Sequence, residues 1–304
     1  MNTSPSLFPI RVVSDQTGLS THVIRAWESR YAAVEPFRTE TNHRLYNQHD
    51  VDRLLLLRRL ADQGHAIGTI ATLSDEELLD QLSGPTPPAA TPRARRGFVS
   101  VDILLNRCKK AILDYERETL ENALMDANVE FTQTRLMDDF LGPLLNWIGE
   151  EWHSGELRVA QEHTATVGIR NFLGNLQLLT KTKTDAPRVV IATPSDEEHE
   201  IGALMACLIA SARGWRSIYL GPRVPPQEIA AAVKSTSARM VAISATESKG
   251  ASSFLQEANI LRKLLPQEVP VVAGGAGTLN LREDFERMEI SVIDQFQDFA
   301  FFLG

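Results

Sequence analysis

The stretch Glu197-Glu198-His199-Glu200-Ile201-Gly202 centres on a histidine whose type and setting could hold a metal. The apolar run 188–193 before them reads as a strand. The amphipathic run that they open reads as a helix to about residue 213. A histidine at such a junction can turn its imidazole away from the sheet, and neutral imidazole is a common ligand of transition metals. Glu197, two residues earlier, is placed to hold the other ring nitrogen and strengthen the donor. Gly202 lets something bulky pass close to the backbone. On its own, a histidine in a strand-to-helix loop is more often simply solvated.

Two further pieces belong with it. Ser244 and Thr246 stand at the end of a second apolar strand, 240–244, and Gly274-Gly275 at the end of a third, 269–273. In a doubly wound sheet these strand ends share the edge at which ligands bind. The remainder of the C-terminal stretch alternates strands (216–219 and 290–293) with helices (225–236, 254–265 and 295–303), as expected of a parallel sheet covered on both faces. No Gly-x-Gly-x-x-Gly follows a strand, which speaks against a nicotinamide or flavin reader.

The three pieces together resemble the cobalamin-binding Rossmann-like domain. The resemblance implies that His199 ligates cobalt from below, and that the nucleotide tail enters a slot lined by Ser244, Thr246, Gly274 and Gly275. The family pattern is Asp-x-His-x-x-Gly; here Glu197 makes the acid one methylene longer.

A second cluster lies upstream, in a stretch that is helical by pattern. Segments 99–113, 117–128, 133–152 and 159–180 repeat apolar residues every three or four positions, as at Leu136, Phe140, Leu144 and Ile148, and a four-helix bundle is the economical fold. Trp152-His153 ends the third segment, Ser154-Gly155 turns, and Glu162-His163 falls in the first turns of the fourth. Taken alone, this corner reads as an aromatic plug with solvated polar neighbours.

The N-terminal stretch reads as a short helix (9–16), a turn (Thr17-Gly18-Leu19) and a second helix (20–30) capped by Ser20. Val23, Ile24 and Trp27 fall on its inward face, with His22, Arg25 and Arg30 outward. A polar stretch with Arg38 and Arg44 follows, as a β-wing requires. A leucine-rich helix (50–63) and the start of another (67–73) come next. Thr17-Gly18-Leu19-Ser20, the run Ile24 to Tyr31, Arg44-Leu45-Tyr46 and Asp50-Val51 strongly resemble the MerR family of winged-helix regulators over residues 8–78. The match implies that 20–30 enters the major groove, that Arg25, Tyr31, Arg38 and Arg44 touch DNA, and that His22 lies near base edges.

Residues 83–97, with Pro85, Pro87, Pro88 and Pro92 followed by Arg93, Arg95 and Arg96, read as a semi-extended linker. The expected organisation is therefore multidomain. A winged helix-turn-helix spans 8–82, a linker 83–97, a four-helix bundle 98–183 and a Rossmann-like α/β domain 186–304.

Winged head, bundle corner and cobalt-ligand motif in one chain closely resemble the CarH/LitR family of adenosylcobalamin-dependent photoreceptor repressors. The resemblance implies that Trp152 packs against the adenosyl group, that Glu162 and His163 border it, and that His153 takes the upper cobalt position once light removes adenosyl. It also implies a dark homotetramer on operator DNA that light dissociates. A cobalamin-responsive or cobalamin-independent regulator without light sensing is one alternative. A corrinoid methyl-transfer protein is another, against which the DNA-binding head argues; no enzyme activity is expected.

Composition sets the remaining bounds. Apolar content of 43% and charged content of 23% over 304 residues are those of a globular chain of two or three domains. The net charge of −8 confines any DNA-binding surface to a local patch. Between Arg11 and Arg59 every basic side chain is arginine, whose fork suits phosphates and guanine edges. No apolar run approaches a membrane span and no secretory signal opens the chain. Cys108 and Cys207, far apart in helical patterns, read as buried free thiols of a cytoplasmic protein.

Overall fold

The computed structural model describes residues 7–19, 21–39, 43–63, 65, 67–83, 100–180, 182–246 and 251–304. The chain divides into two compact units, residues 1–168 and 169–304.

The first unit begins with β1 (Phe8–Pro9), α1 (Ile10–Thr17) and α2 (Thr21–Tyr31). Gly18 ends α1 in the left-handed conformation, φ 66°, and its N–H returns to the Ser14 carbonyl at 2.8 Å. Val23, Ile24 and Trp27 are buried, as their helical spacing predicts. The expected wing is there: β2 (Phe37–Arg38) pairs antiparallel with β3 (Arg44–Tyr46), which also pairs with β1. Helix α3 (Gln48–Asp62) starts two residues earlier than expected, because Asn47 and Asp50 form a reciprocal capping box. The expected helix over 67–73 is two elements, α4 (Ile67–Ile70) and α5 (Asp75–Ser83). Ser74 separates them, and its amide donates to Glu77 at 2.7 Å.

Two arginines are committed to this fold. Arg53 donates to the carbonyls of Ala33, Ala71 and Leu73 at 2.8–2.9 Å and pairs with Asp75, and Arg58 donates to the Thr17 carbonyl. The all-arginine composition of the head is thus partly structural. The Ser20 cap, the His22 side chain, Gly64 and, beyond Ser83, the expected linker with its prolines and arginines lie outside the described residues.

Four helical stretches follow. They are α6 (Val101–Leu113), α7 (Arg117–Glu130), a composite third, and α10 (Val159–Leu179). Their ends match the sequence expectation to within about two residues. The third stretch is α8 (Gln133–Arg135), a π-turn over Leu136–Leu141, and α9 (Gly142–Ser154). Leu136, Phe140, Leu144 and Ile148 are all buried. A strict spacing of four drifts around a helix of about 3.6 residues per turn, and one wide turn takes up that drift. Burial pushes the Cys108 thiol, free as expected, up to about 12.

The second unit carries β4 (Arg188–Ala192), α11 (Ile201–Ala212), β5 (Arg216–Tyr219), α12 (Pro226–Thr236), β6 (Met240–Ser244), α13 (Ala251–Leu264), β7 (Val271–Gly274), a 3₁₀ turn (Ala276–Leu281), α14 (Arg282–Arg287), β8 (Ile290–Ile293) and α15 (Phe296–Leu303). All five strands are parallel, in the order β5-β4-β6-β7-β8. The order reverses between β4 and β6, which makes their C-terminal ends the switch point of the sheet. Every residue of β6 is buried, as in a strand covered on both faces. Cys207 on α11 is also free and buried, its thiol pushed up to about 12. Among the described residues no helix is long and apolar enough to cross a membrane.

Candidate functional site

The end of β4 is tied down before it reaches the histidine. Thr193 is fully buried, and its hydroxyl donates to the Glu197 carbonyl at 2.6 Å while accepting the Arg223 amide at 3.0 Å. The Glu197 amide closes the turn on the Pro194 carbonyl at 3.0 Å. This delivers the Glu197 side chain into the sheet edge, where it is 5% exposed.

One carboxylate then organises two loops. Glu197 Oε1 accepts the His199 amide at 2.8 Å and the His199 Nδ1 at 2.7 Å, and Oε2 accepts the Thr246 amide at 2.6 Å. A buried carboxylate is tolerable only with donors such as these. Because the carboxylate only accepts, the ring proton is assigned to Nδ1 and the lone pair to Nε2. The His199 side chain is 55% exposed. It lies in the loop ahead of α11, which starts at Ile201 and not at residue 198 as the pattern suggested. The longer acid reaches its partner: the extra methylene of glutamate spans to Nδ1 without loss of the bond.

The glycines at this edge serve backbone proximity. A β-carbon on Gly202 would lie 2.6 Å from Ser244 Oγ, so this small hydroxyl is the group of the protein that approaches Gly202. Gly202→Ala is expected to lower stability by about 1–3 kcal/mol through overpacking. The double variant Gly202→Ala/Ser244→Ala is expected to recover most of it, read as urea midpoints. Gly274 ends β7 opposite Ser244, and Gly275 follows at φ 101°, ψ 163°, with the Ala245 carbonyl against its Cα. The Ala245 amide bonds the Gly274 carbonyl at 2.9 Å, and the Gly277 amide the Ala245 carbonyl at 3.1 Å. Ser244 is nearly buried, whereas Thr246 and Gly275 are exposed. The structure therefore brings Glu197, His199, Gly202, Ser244 and Thr246 together at the switch point, with Gly274 and Gly275 on the adjoining strand.

At the other cluster, α9 ends on Gly155, φ 84°, whose amide bonds the Trp152 carbonyl at 3.2 Å. Gln161 fixes the corner by accepting the Arg158 amide at 2.9 Å and donating to the Leu113 carbonyl at 2.8 Å. Trp152 is 43% exposed and stacks edge-on against His153, with ring centres 4.9 Å apart. His153 Nδ1 lies 2.7 Å from the Gly149 carbonyl. On α10, Glu162 pairs with His163 and accepts the Thr166 hydroxyl at 2.8 Å. The four side chains stand on the two helices that meet at this corner. An indole left half in water beside the His153 imidazole contributes little to a core.

In the winged head Arg25 is exposed on α2. The wing arginines are both gathered by Glu28 of α2: Arg44 at 2.7 Å and Arg38 at 3.4 Å. The hydrogen bond that Arg44 donates to Glu28 holds its guanidinium above its ordinary value. Arg30 and Tyr31, at the end of α2, meet Asp126 and Glu130 of α7.

The sequence matches the model of MerR HTH family regulatory proteins over residues 8–77 and two models described as B12 binding domain, over 104–177 and 187–295. The HTH-type transcriptional repressor CarH of Myxococcus xanthus is 30% identical over 291 residues, covering 96% of each chain. The chain belongs to the CarH/LitR family. The HTH-type transcriptional repressor CarA of the same organism is 30% identical over 88% of this chain and 86% of its own. The monomethylamine corrinoid protein of Methanosarcina barkeri shares the fold over 67% of this chain and 98% of its own, with a TM-score of 0.55 at 15% identity. This CarH/LitR family member is thus a MerR-type, DNA-binding transcription regulator with B12-binding domains.

Several side chains of this family member escaped the sequence reading. Glu28 lies in the quoted motif, yet its hold on both wing arginines depends on strand pairing. Glu200 follows the histidine; its carboxylate accepts the Tyr219 hydroxyl and pairs with Arg170 of α10 at 2.8 Å. Burial and, next, that bond to Glu200 push the Tyr219 phenol well above its usual range. Asp126 and Glu130 carried no signal in the sequence beyond helical acidity.

Proposed function

We propose that the protein is a light-responsive repressor in the cytoplasm whose chromophore is adenosylcobalamin. The observation that carries the reading is the His199 imidazole held by Glu197 at 2.7 Å on the switch point of the sheet. One protein nitrogen suits a metal whose remaining positions are filled by a macrocycle. The donor set therefore fits a corrin: His199 Nε2 would hold its cobalt, with the Nδ1 proton held by Glu197 to raise the ligand's basicity. Ser244, Thr246, Gly274 and Gly275, with Gly202 behind Ser244, supply small and polar walls for the nucleotide tail.

The upper-face roles fall on Trp152, His153, Glu162 and His163. The exposed indole offers the flat apolar surface that an adenine stacks on. Glu162, fixed by Thr166 and His163, offers acceptors for a ribose. His153 is the imidazole that would hold the cobalt once light has removed the adenosyl group. When bound, adenosylcobalamin supplies visible absorption and a cobalt–carbon bond that light cleaves.

In this reading Ser20, His22, Arg25, Arg30, Tyr31, Arg38 and Arg44 form the operator-facing surface, with 8–82, 98–183 and 186–304 as the three working domains. A dark homotetramer presents several heads at once and gains affinity through effective concentration. Sedimentation of the holo-protein on operator DNA before and after green light tests the scheme. A fall in mass with release of the duplex is expected. Unchanged mass and binding after illumination would reject the light switch. Photorelease that survives Trp152→Ala would remove the indole from the mechanism.

A further inference from the structure

The end of the recognition helix is occupied by the protein itself. Trp27 is fully buried, and its indole N–H donates to the Val129 carbonyl at 3.0 Å, one of the carbonyls that the last turn of α7 leaves without a helical partner. One turn on, the Tyr31 hydroxyl donates to Glu130 Oε1 at 2.5 Å. Arg30 lies between two acids of the same helix, 3.3 Å from Asp126 and 3.7 Å from Glu130. Arg107 of α6 holds Asp126 in place at 2.8 Å, and Thr134 adds a bond from the bundle to Asp62 of α3 at 3.3 Å.

We propose that the C-terminal turn of α7 is a docking surface that competes with operator DNA for this face of α2, so that the docked arrangement is a self-masked state. The proposal rests on the reading of Arg30 and Tyr31 as DNA contacts. Guanidinium and phenol groups are what a phosphodiester recruits, and Asp126 and Glu130 put carboxylates in that place. The acids stand four residues apart on one helix face, at the negative end of the helix, which adds to the local negative potential. A side chain committed to Glu130 cannot also reach a phosphate.

The contact is built to open. Arg30 is 47% exposed and Asp126 32%, so water can replace either partner. Burial pushes the Glu130 carboxyl above its ordinary range despite Tyr31 and Arg30 beside it. On either side of Glu130, Asn128 Nδ2, Thr132 Oγ1 and Gln133 Oε1 are buried with no hydrogen-bond partner among the described residues. A permanently closed corner would satisfy such atoms; water reaching them in an open form would offset part of the loss of docking.

The test uses the full chain and a fluorescent duplex that the wild-type protein has selected from a random pool. Asp126→Asn/Glu130→Gln is expected to tighten binding about three- to tenfold, because a masked fraction no longer dilutes the competent one. Unchanged or weaker binding would overturn masking. Arg25→Ala separates the two readings: it must weaken binding on its own, since Arg25 faces solvent and takes no part in the docked contact. If it does not, the DNA surface is misassigned and the masking reading goes with it. The wild-type chain labelled with 5-fluorotryptophan gives a second readout, with Trp27→Phe identifying the signal. Adding the duplex is expected to move the Trp27 fluorine resonance to the position that it already holds in the double variant without DNA. A resonance that ignores the duplex would contradict the proposal even where the double variant folds poorly.

Discussion

His199→Ala is expected to abolish stable retention of corrinoid while leaving the fold intact. The side chain is more than half exposed and supports no core, so its removal leaves packing unchanged. What it removes is the imidazole nitrogen that the buried Glu197 carboxylate orients at the switch point. Glu197→Gln should give an intermediate loss, about 10- to 100-fold in affinity, the usual penalty for removing the group that positions a ligating histidine. That variant has a second consequence. Glu197 also receives the Thr246 amide at 2.6 Å, so an amide side chain must present its oxygen to one loop or the other. Glu197→Gln should therefore lose stability where His199→Ala does not. Gel filtration with adenosylcobalamin in darkness reads the first effect and thermal melting the second. Equal corrinoid retention by His199→Ala and wild type would remove the lower ligand from the account.

Gly275→Ala should be the most damaging conservative substitution at the sheet edge. At φ 101° and ψ 163° the backbone occupies a region that is essentially closed to residues with a β-carbon, at about 1–3 kcal/mol for the conformation alone. The new carbon would also press on the Ala245 carbonyl, which is held by the Gly277 amide and cannot turn aside. Together these effects amount to roughly 3 kcal/mol or more, or about 6–12 °C in melting temperature for a unit of this size. Gly202→Ala is milder because the atom that it meets is a rotatable hydroxyl. If Gly275→Ala melted with wild type, the close approach of the β6 and β7 ends would be wrong.

Much of this was written in local pattern. Runs such as Val189–Ala192 and Met240–Ser244, broken by helical stretches, announce a parallel sheet, and the sheet then brings residues near 199, 244 and 274 to one edge. The head was equally legible, because Val23, Ile24 and Trp27 recur at helical spacing and Gly18 marks the turn. Local pattern failed where one residue or one distant partner decides. Ser74 splits what reads as a single helix after residue 67, and α14 is too short to show a period. The π-turn over Leu136–Leu141 is not announced, because over so few turns a spacing of four drifts too little to be told from that of an ordinary helix. Gly202 could be seen to permit a close approach, but its partner, Ser244 Oγ, comes from a strand some forty residues away. The docking of Arg30 and Tyr31 joins helices about a hundred residues apart, with nothing more than two acids on α7 to signal it.

The central claim is that an imidazole of this chain, and not the cofactor's own base, sits on cobalt. Electron paramagnetic resonance of the protein loaded with cob(II)alamin reads that axial nitrogen directly. With all histidines labelled with nitrogen-15, each three-line superhyperfine group is predicted to become two lines, whereas cob(II)alamin mixed with the labelled His199→Ala variant, which does not retain it, is predicted to keep three. Three-line groups in the labelled wild-type protein would place the cofactor's base on the metal and contradict the assignment of His199.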